Sequence, residues 1–203
     1  RAGQCDGDRY CDVNSVCGVG CSELDLMEAN KHAFRGTAHH ERDSRGAGAR
    51  GVGGEAGWSE FTPKQYGPGG SSIDTDLPFT LSAAFVAAEG GSSAGAANGA
   101  NGAAAALELL SPAAARHAAG GLADIVISLH QGTRAPLSFS LADRSYYQYV
   151  EADVLAGETL TLSYWSAAQM GWLDSGVCNH EDQDRCAASV TFSNFSIEPL
   201  PSP

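Results

Sequence analysis

Apolar residues recur at every second position in several short stretches of the chain. Leu137, Phe139 and Leu141 alternate with Ser138 and Ser140, and Leu160, Leu162 and Tyr164 alternate with Thr161 and Ser163. Successive side chains of a strand point to opposite faces, so a period of two predicts strands with one buried face. The stretches 79–87, 124–130, 136–142, 146–154, 158–165 and 188–197 are each short, rich in β-branched or aromatic residues, and bounded by Gly, Pro, Asp or Asn. They predict an all-β protein, an antiparallel β-sandwich or barrel rather than a set of βαβ units.

Two stretches interrupt this pattern. Residues 87–121 are low-complexity Ala, Gly and Ser, with a short helix-compatible run at 103–110, and read as a flexible insertion. The Gly-rich run 45–57 reads as a loop. No internal repeat is present, and 203 residues suffice for one substantial core, so residues 1–203 are expected to form a single domain.

Charge narrows the partners. A formal net charge of −12 and a pI near 4.7 exclude a nucleic-acid or anionic-membrane partner, either of which rewards clustered Lys and Arg. A neutral substrate fits this surface better. No apolar run reaches the 18 residues of a membrane span. Of six cysteines, Cys5, Cys11, Cys17 and Cys21 crowd the first 21 residues, and Cys178 and Cys186 form a close pair. The pattern suits a disulfide-bonded extracellular protein; the rival four-Cys zinc site fits the usual C-x₂₋₄-C knuckles poorly. Asn194-Phe195-Ser196 is a glycosylation sequon that leans the same way. The chain opens at Arg1 without an initiator Met or a signal-like segment, so something upstream is expected to be missing.

The candidate chemistry lies in "CSELDLMEAN", residues 21–30, where Glu23, Asp25 and Glu28 stand among Leu24, Leu26 and Met27. As a strand, this segment sends Glu23 and Asp25 to one face and Leu24 and Leu26 to the other. Strict alternation puts Glu28 on the apolar face; an extra residue near Met27, a β-bulge, returns it to the acidic one. The two glutamate backbones are then roughly 16 Å apart or less, and converging side chains can approach the about 5 to 5.5 Å separation of a retaining glycosidase's carboxyls. On spacing alone the commoner reading is a solvated strand face. A helix is also open, with Asp25 and Glu28 as neighbours three apart.

The wider context resembles glycoside hydrolase family 7, the cellobiohydrolases and endoglucanases, whose signature reads approximately C-C-S-E-M-D-I-W-E-A-N. Cys21, Ser22, Glu23, Asp25, Glu28, Ala29 and Asn30 match it, and Thr37-Ala38-His39 stands where the family has Thr-Pro-His. "YGPGGSSIDTDLPFTLSAAF", "YWSAAQMGWLDS" and "ASVTFSNFSIEP" are similar to three further family blocks. The resemblance implies a concanavalin-like jelly roll with Glu23 as nucleophile, Asp25 as its supporting acid and Glu28 as general acid/base. By the same resemblance His39 hydrogen-bonds near the leaving group, Trp165 and Trp172 are sugar-stacking platforms, and Lys64 loosely replaces an Arg of the substrate groove. It implies no cofactor or metal, and a β-1,4-glucan as the partner.

The departures are specific. Met27 replaces the family's Trp, and E-[IL]-D-[IL]-M-E is also how family 16 β-glucanases write this strand, which brings in a β-1,3 or mixed-linkage alternative. The Cys that follows the family's His-Pro is absent, which leaves Cys21 without that partner. Two residues are missing between Trp165 and Trp172. The family is about twice this long, its other half lying upstream, so the resemblance implies a fragment or a reduced fold. A non-catalytic glucan-binding jelly roll is the alternative outside the enzymes. His32, His39 and His40 share a segment without a metal-ligand motif. Tyr147 and Tyr149 are expected on one strand face and Tyr146 on the other.

Overall fold

The computed structural model of the chain describes residues 10–53, 58–87, 121–164, 171–174 and 193. These residues are mostly strands in antiparallel sheets. Strand β1 (Glu23–Ala29), β2 (Phe34–His39), β3 (Ala47–Gly53) and the short β4 (Trp58–Ser59) pair in sequence order. A two-residue parallel ladder joins β5 (Tyr66–Gly67) to β6 (Ile73–Asp74). A second antiparallel sheet holds β7 (Thr80–Ala87), β8 (Leu122–His130) and β9 (Leu137–Ser140).

The alternating residues of the second sheet behave as their period predicts. Ile125, Ile127 and Leu129 of β8, with Leu137 and Phe139 of β9, are buried, while Ser138 and Ser140 are exposed. They share one hydrophobic core with Phe34 and Ala38 of β2 and Val52 of β3. Phe139 meets Phe34 and Phe61 edge to face, with ring centroids 5.9 and 5.5 Å apart. Fully burying a side chain such as Phe34 contributes about 1.5 to 3 kcal/mol. Gly36 makes the approach close: a Cβ there would lie 2.8 Å from Leu141 Cδ1 and 3.2 Å from Phe139 Cε2.

Two expected features are corrected. Residues 146–154, read as a strand, lie in helix α1 (Arg144–Ala156). Its buried residues, Tyr147, Val150 and Val154, recur at three and four, which is the helical period. Tyr147 therefore turns into the core, whereas Tyr146 and Tyr149 meet each other at 5.7 Å. The Tyr147 hydroxyl donates to Asp124 Oδ1 (2.9 Å) and accepts the amides of Ile125 (3.1 Å) and Ala142 (3.0 Å), pinning α1 to β8. The Gly-rich run from Arg45, read as a loop, contains β3, paired with β2 on one side and β4 on the other.

Of the remaining expected strands, 158–164 has no regular structure, and Leu160, Leu162 and Tyr164 are exposed. Nearly all of 188–197, and the low-complexity run but for its end residues, lie outside the described residues. Among the described residues no helix is long and apolar enough to cross a membrane.

Candidate active site

The acidic strand carries the expected bulge. Asp25 stands opposite Thr37 and Glu28 opposite Arg35, so Leu26 and Met27 together face the single residue Gly36. That extra residue returns Glu28 to the side of Glu23 and Asp25. Leu24 and Leu26 pack on the core, while Met27 is 47% exposed at the bulge.

Burial and mutual repulsion act together on the three acids. Glu28 is pushed up to about 7, first by burial and then by the Asp25 charge, against the opposing pull of Arg35 and His39. Glu23 contributes least to that rise. Glu23 is likewise raised to about 7 by burial, then by Asp25, with which it also shares a hydrogen bond. An opposing influence is the Val13 amide, which donates to Glu23 Oε2 at 3.3 Å and favours the carboxylate.

The loop that brings Val13 there is closed by the Cys11–Cys21 disulfide, immediately before β1. Cys21 thus has a partner within the N-terminal cluster. The Asp12 carbonyl accepts from Ser15 and Cys21, and Asp12 Oδ1 accepts the Val16 amide, so the loop is braced internally. Cys17 is disulfide-bonded as well. Tyr10 enters the same site: its phenol is pushed up to about 12 by burial, then by Glu23 and Asp12. No motif in the sequence marked Tyr10.

His39, at the end of β2 and opposite Glu23, faces the central acid. Its Nε2 lies 3.1 Å from Asp25 Oδ2, and its Nδ1 lies 3.1 Å from the Asp43 carbonyl. A carbonyl only accepts, so Nδ1 carries a hydrogen, and a second proton then lies between Nε2 and Asp25. Burial works against the imidazolium, but the hydrogen bonds to Asp25 and to the Asp43 carbonyl outweigh it and raise the His39 pKa. The ring is held from behind. Tyr146 of α1 donates to Asp43 Oδ2 at 2.9 Å and accepts the His40 amide at 3.1 Å, fixing the turn between β2 and β3. Gly46 closes that turn at φ +66°, where a Cβ would lie 2.6 Å from the His39 ring.

The other end of β1 is anchored by Asn30. Its Oδ1 accepts the amides of His32 and Ala33, its Nδ2 donates to Asp174 Oδ2 at 2.8 Å, and its carbonyl accepts the Tyr66 hydroxyl at 2.9 Å. The "YGPGG" and "WLDS" segments are thereby tied to the acidic strand. Asp174 ends the short helix α2 (Gly171–Asp174), which carries Trp172 half-buried. The Arg35 guanidinium lies 5.2 Å above the Trp172 ring, and Arg35 Nε lies 3.9 Å from Glu28 Oε2.

The structure thus groups Glu23, Asp25, Glu28 and His39, and places Trp172 beside them through Arg35. Lys64 is exposed in the turn before β5, where its carbonyl accepts the Ser71 amide, and it is not brought to the acids by any hydrogen bond or ion pair among the described residues. Trp165 lies outside the described residues. His40 is half-buried against Tyr149, with ring centroids 5.9 Å apart. Among the described residues no cluster of three or more His, Cys, Asp or Glu side chains is arranged to hold a metal ion.

A half-buried row of three acids with an imidazole on its central member can hold and relay a proton between two carboxyls whose ionisation is displaced into the neutral range. No family model, curated protein or solved structure matches this chain.

Proposed function

We propose that this chain is a secreted, retaining glycoside hydrolase that cleaves β-1,4-glucan on a jelly-roll scaffold. The observation that carries the reading is the bulge between Asp25 and Glu28, which gathers three carboxylates on one side of β1 with His39 hydrogen-bonded to the middle one. Two glutamates in the neutral range supply the two roles that double displacement requires.

In the first step the ionised Glu23 carboxylate attacks the anomeric carbon while Glu28 gives its proton to the departing glycosidic oxygen. The glycosyl–Glu23 ester forms as the carbon–oxygen bond to the leaving sugar breaks. In the second step Glu28, now a carboxylate, takes a proton from water, which displaces Glu23 and restores both groups. Asp25 hydrogen-bonds Glu23 and orients it, and His39 fixes Asp25. Trp172 offers a stacking surface on the Glu28 side for the leaving sugar. The Cys11–Cys21 bridge supports the extracellular assignment.

Product release from cellotetraose, by the chain and by Glu23→Gln, tests the proposal. The chain is expected to release shorter oligosaccharides, and the variant to lose at least about 10³-fold in turnover with its circular dichroism unchanged. Retained turnover in Glu23→Gln would remove the nucleophile assignment. Met27, exposed at the bulge where the resembled family has Trp, makes laminarin the comparison substrate for a β-1,3 preference.

A further inference from the structure

We propose that Arg35 is a positioning residue of this site, its guanidinium held between the Glu28 carboxyl and the Trp172 ring so that the acid and the aromatic platform stay fixed to one another. The proposal rests on the hydrolase reading for its consequence in turnover, but the coupling itself stands on the contacts.

The ladder puts Arg35 directly across from Glu28 on the neighbouring strand. Its side chain is 14% exposed: Thr37 Oγ1 accepts from Nε at 2.7 Å, Glu28 Oε2 lies 3.9 Å from Nε, and the Trp172 centroid lies 5.2 Å from Cζ. A planar guanidinium suits this place because it stacks on an indole while its edge donates to oxygen; an ammonium supplies charge without the plane. Trp172 sits on α2, and the Asn30–Asp174 hydrogen bond fastens α2 to the end of β1. Arg35 is a further fastening, through the Trp172 ring.

Glu28 meets charged groups from every element around it: Asp25 and Glu23 of β1, Arg35 and His39 of β2, and, beyond Asn30, Asp174 of α2. Arg35 leads the groups that favour its ionised form. An uncharged side chain at 35 therefore delays the loss of the Glu28 proton to higher pH, whereas Glu23, which faces His39 and the Val13 amide, is little affected.

The test is a ¹³C carboxyl titration of the glutamate-labelled chain, with Glu28 assigned by the signal lost in Glu28→Gln. It is run on the chain and on Arg35→Gln, Arg35→Lys and Arg35→Met, the last keeping an aliphatic stem against Trp172 in case Gln disturbs folding. Arg35→Gln and Arg35→Met are expected to raise the Glu28 midpoint by about one pH unit, with Glu23 moving far less and Arg35→Lys staying near the parent. The alkaline limb of kcat on cellotetraose should follow the Glu28 midpoint, and KM should rise about 5-fold or more in all three variants as the platform loosens. A Glu28 midpoint that stays within about 0.2 pH unit in both uncharged variants, or that moves together with Glu23, would overturn the proposal. A chain that titrates as expected yet hydrolyses nothing would instead contradict the glycosidase reading and leave the Arg35 coupling in place.

Discussion

Three carboxylates set among Leu24, Leu26 and Met27 carry an energetic signature that is measurable without any substrate. Glu23 and Glu28 are both raised to about 7, from burial first and Asp25 second, and His39 is raised as well. A raised group binds its proton more tightly in the folded chain, so its contribution to stability is complete below its unfolded value and is lost as pH climbs through the folded one. All three residues act in the same direction. Between pH 5 and 8 the site should cost stability on the order of 2 kcal/mol, after discounting for the partial exposure of the pair. Thermal unfolding should show Tm falling across that range. In Glu28→Gln the fall should be smaller, leaving the variant more stable than its parent at pH 8. A parent Tm that does not change between pH 5 and 8 would contradict the burial of these acids. If the proposed hydrolysis holds, the working form carries one proton on Glu28 and none on Glu23, so the rate should trace a bell with its maximum near pH 7.

Among the elements, the turn from β2 to β3 does for His39 what the Cys11–Cys21 loop does for Glu23: each braces the group with a backbone hydrogen bond. Gly46→Ala tests the first, because it adds a methyl 2.5 Å from Thr37 Cγ2 and 2.6 Å from the His39 ring at a φ of +66°. It should cost about 1 to 3 kcal/mol of stability, and turnover should fall further than the unfolded fraction explains, a split read by comparing denaturant midpoints with kcat. The bulge was legible in the sequence because E-x-D-x-x-E has one residue too many for a strict period of two. The strand at β3 was not legible, since a glycine-rich segment owes its conformation to ladders with β2 and β4 rather than to propensity. Helix α1 carried a visible signal in the spacing of Tyr147, Val150 and Val154, but β-favouring side chains masked it. Arg35 follows from counting the hairpin back across from Glu28, which requires the register that only the folded chain displays.

Over the described residues, the two larger sheets contribute to one core, and the acids lie on β1 at the end of the strand order β1-β2-β3-β4. Among the described residues β1 is hydrogen-bonded into its sheet through β2 alone. The anchors from Tyr66, Asp174 and Tyr146 reach the end of the acidic strand and the turn after its partner from three distant parts of the chain, so the site depends on more of the fold than the strand alone. An acidic protein with this arrangement suits an uncharged polysaccharide, and the nucleophile decides whether the account holds. The most direct measurement is intact-mass and peptide mapping of the chain after incubation with an activated 2-deoxy-2-fluoro-cellobioside. Double displacement at this site predicts one covalently bound sugar per chain, located on Glu23 and absent from Glu23→Gln. A chain that hydrolyses glucan but is labelled elsewhere, or never labelled, would contradict it.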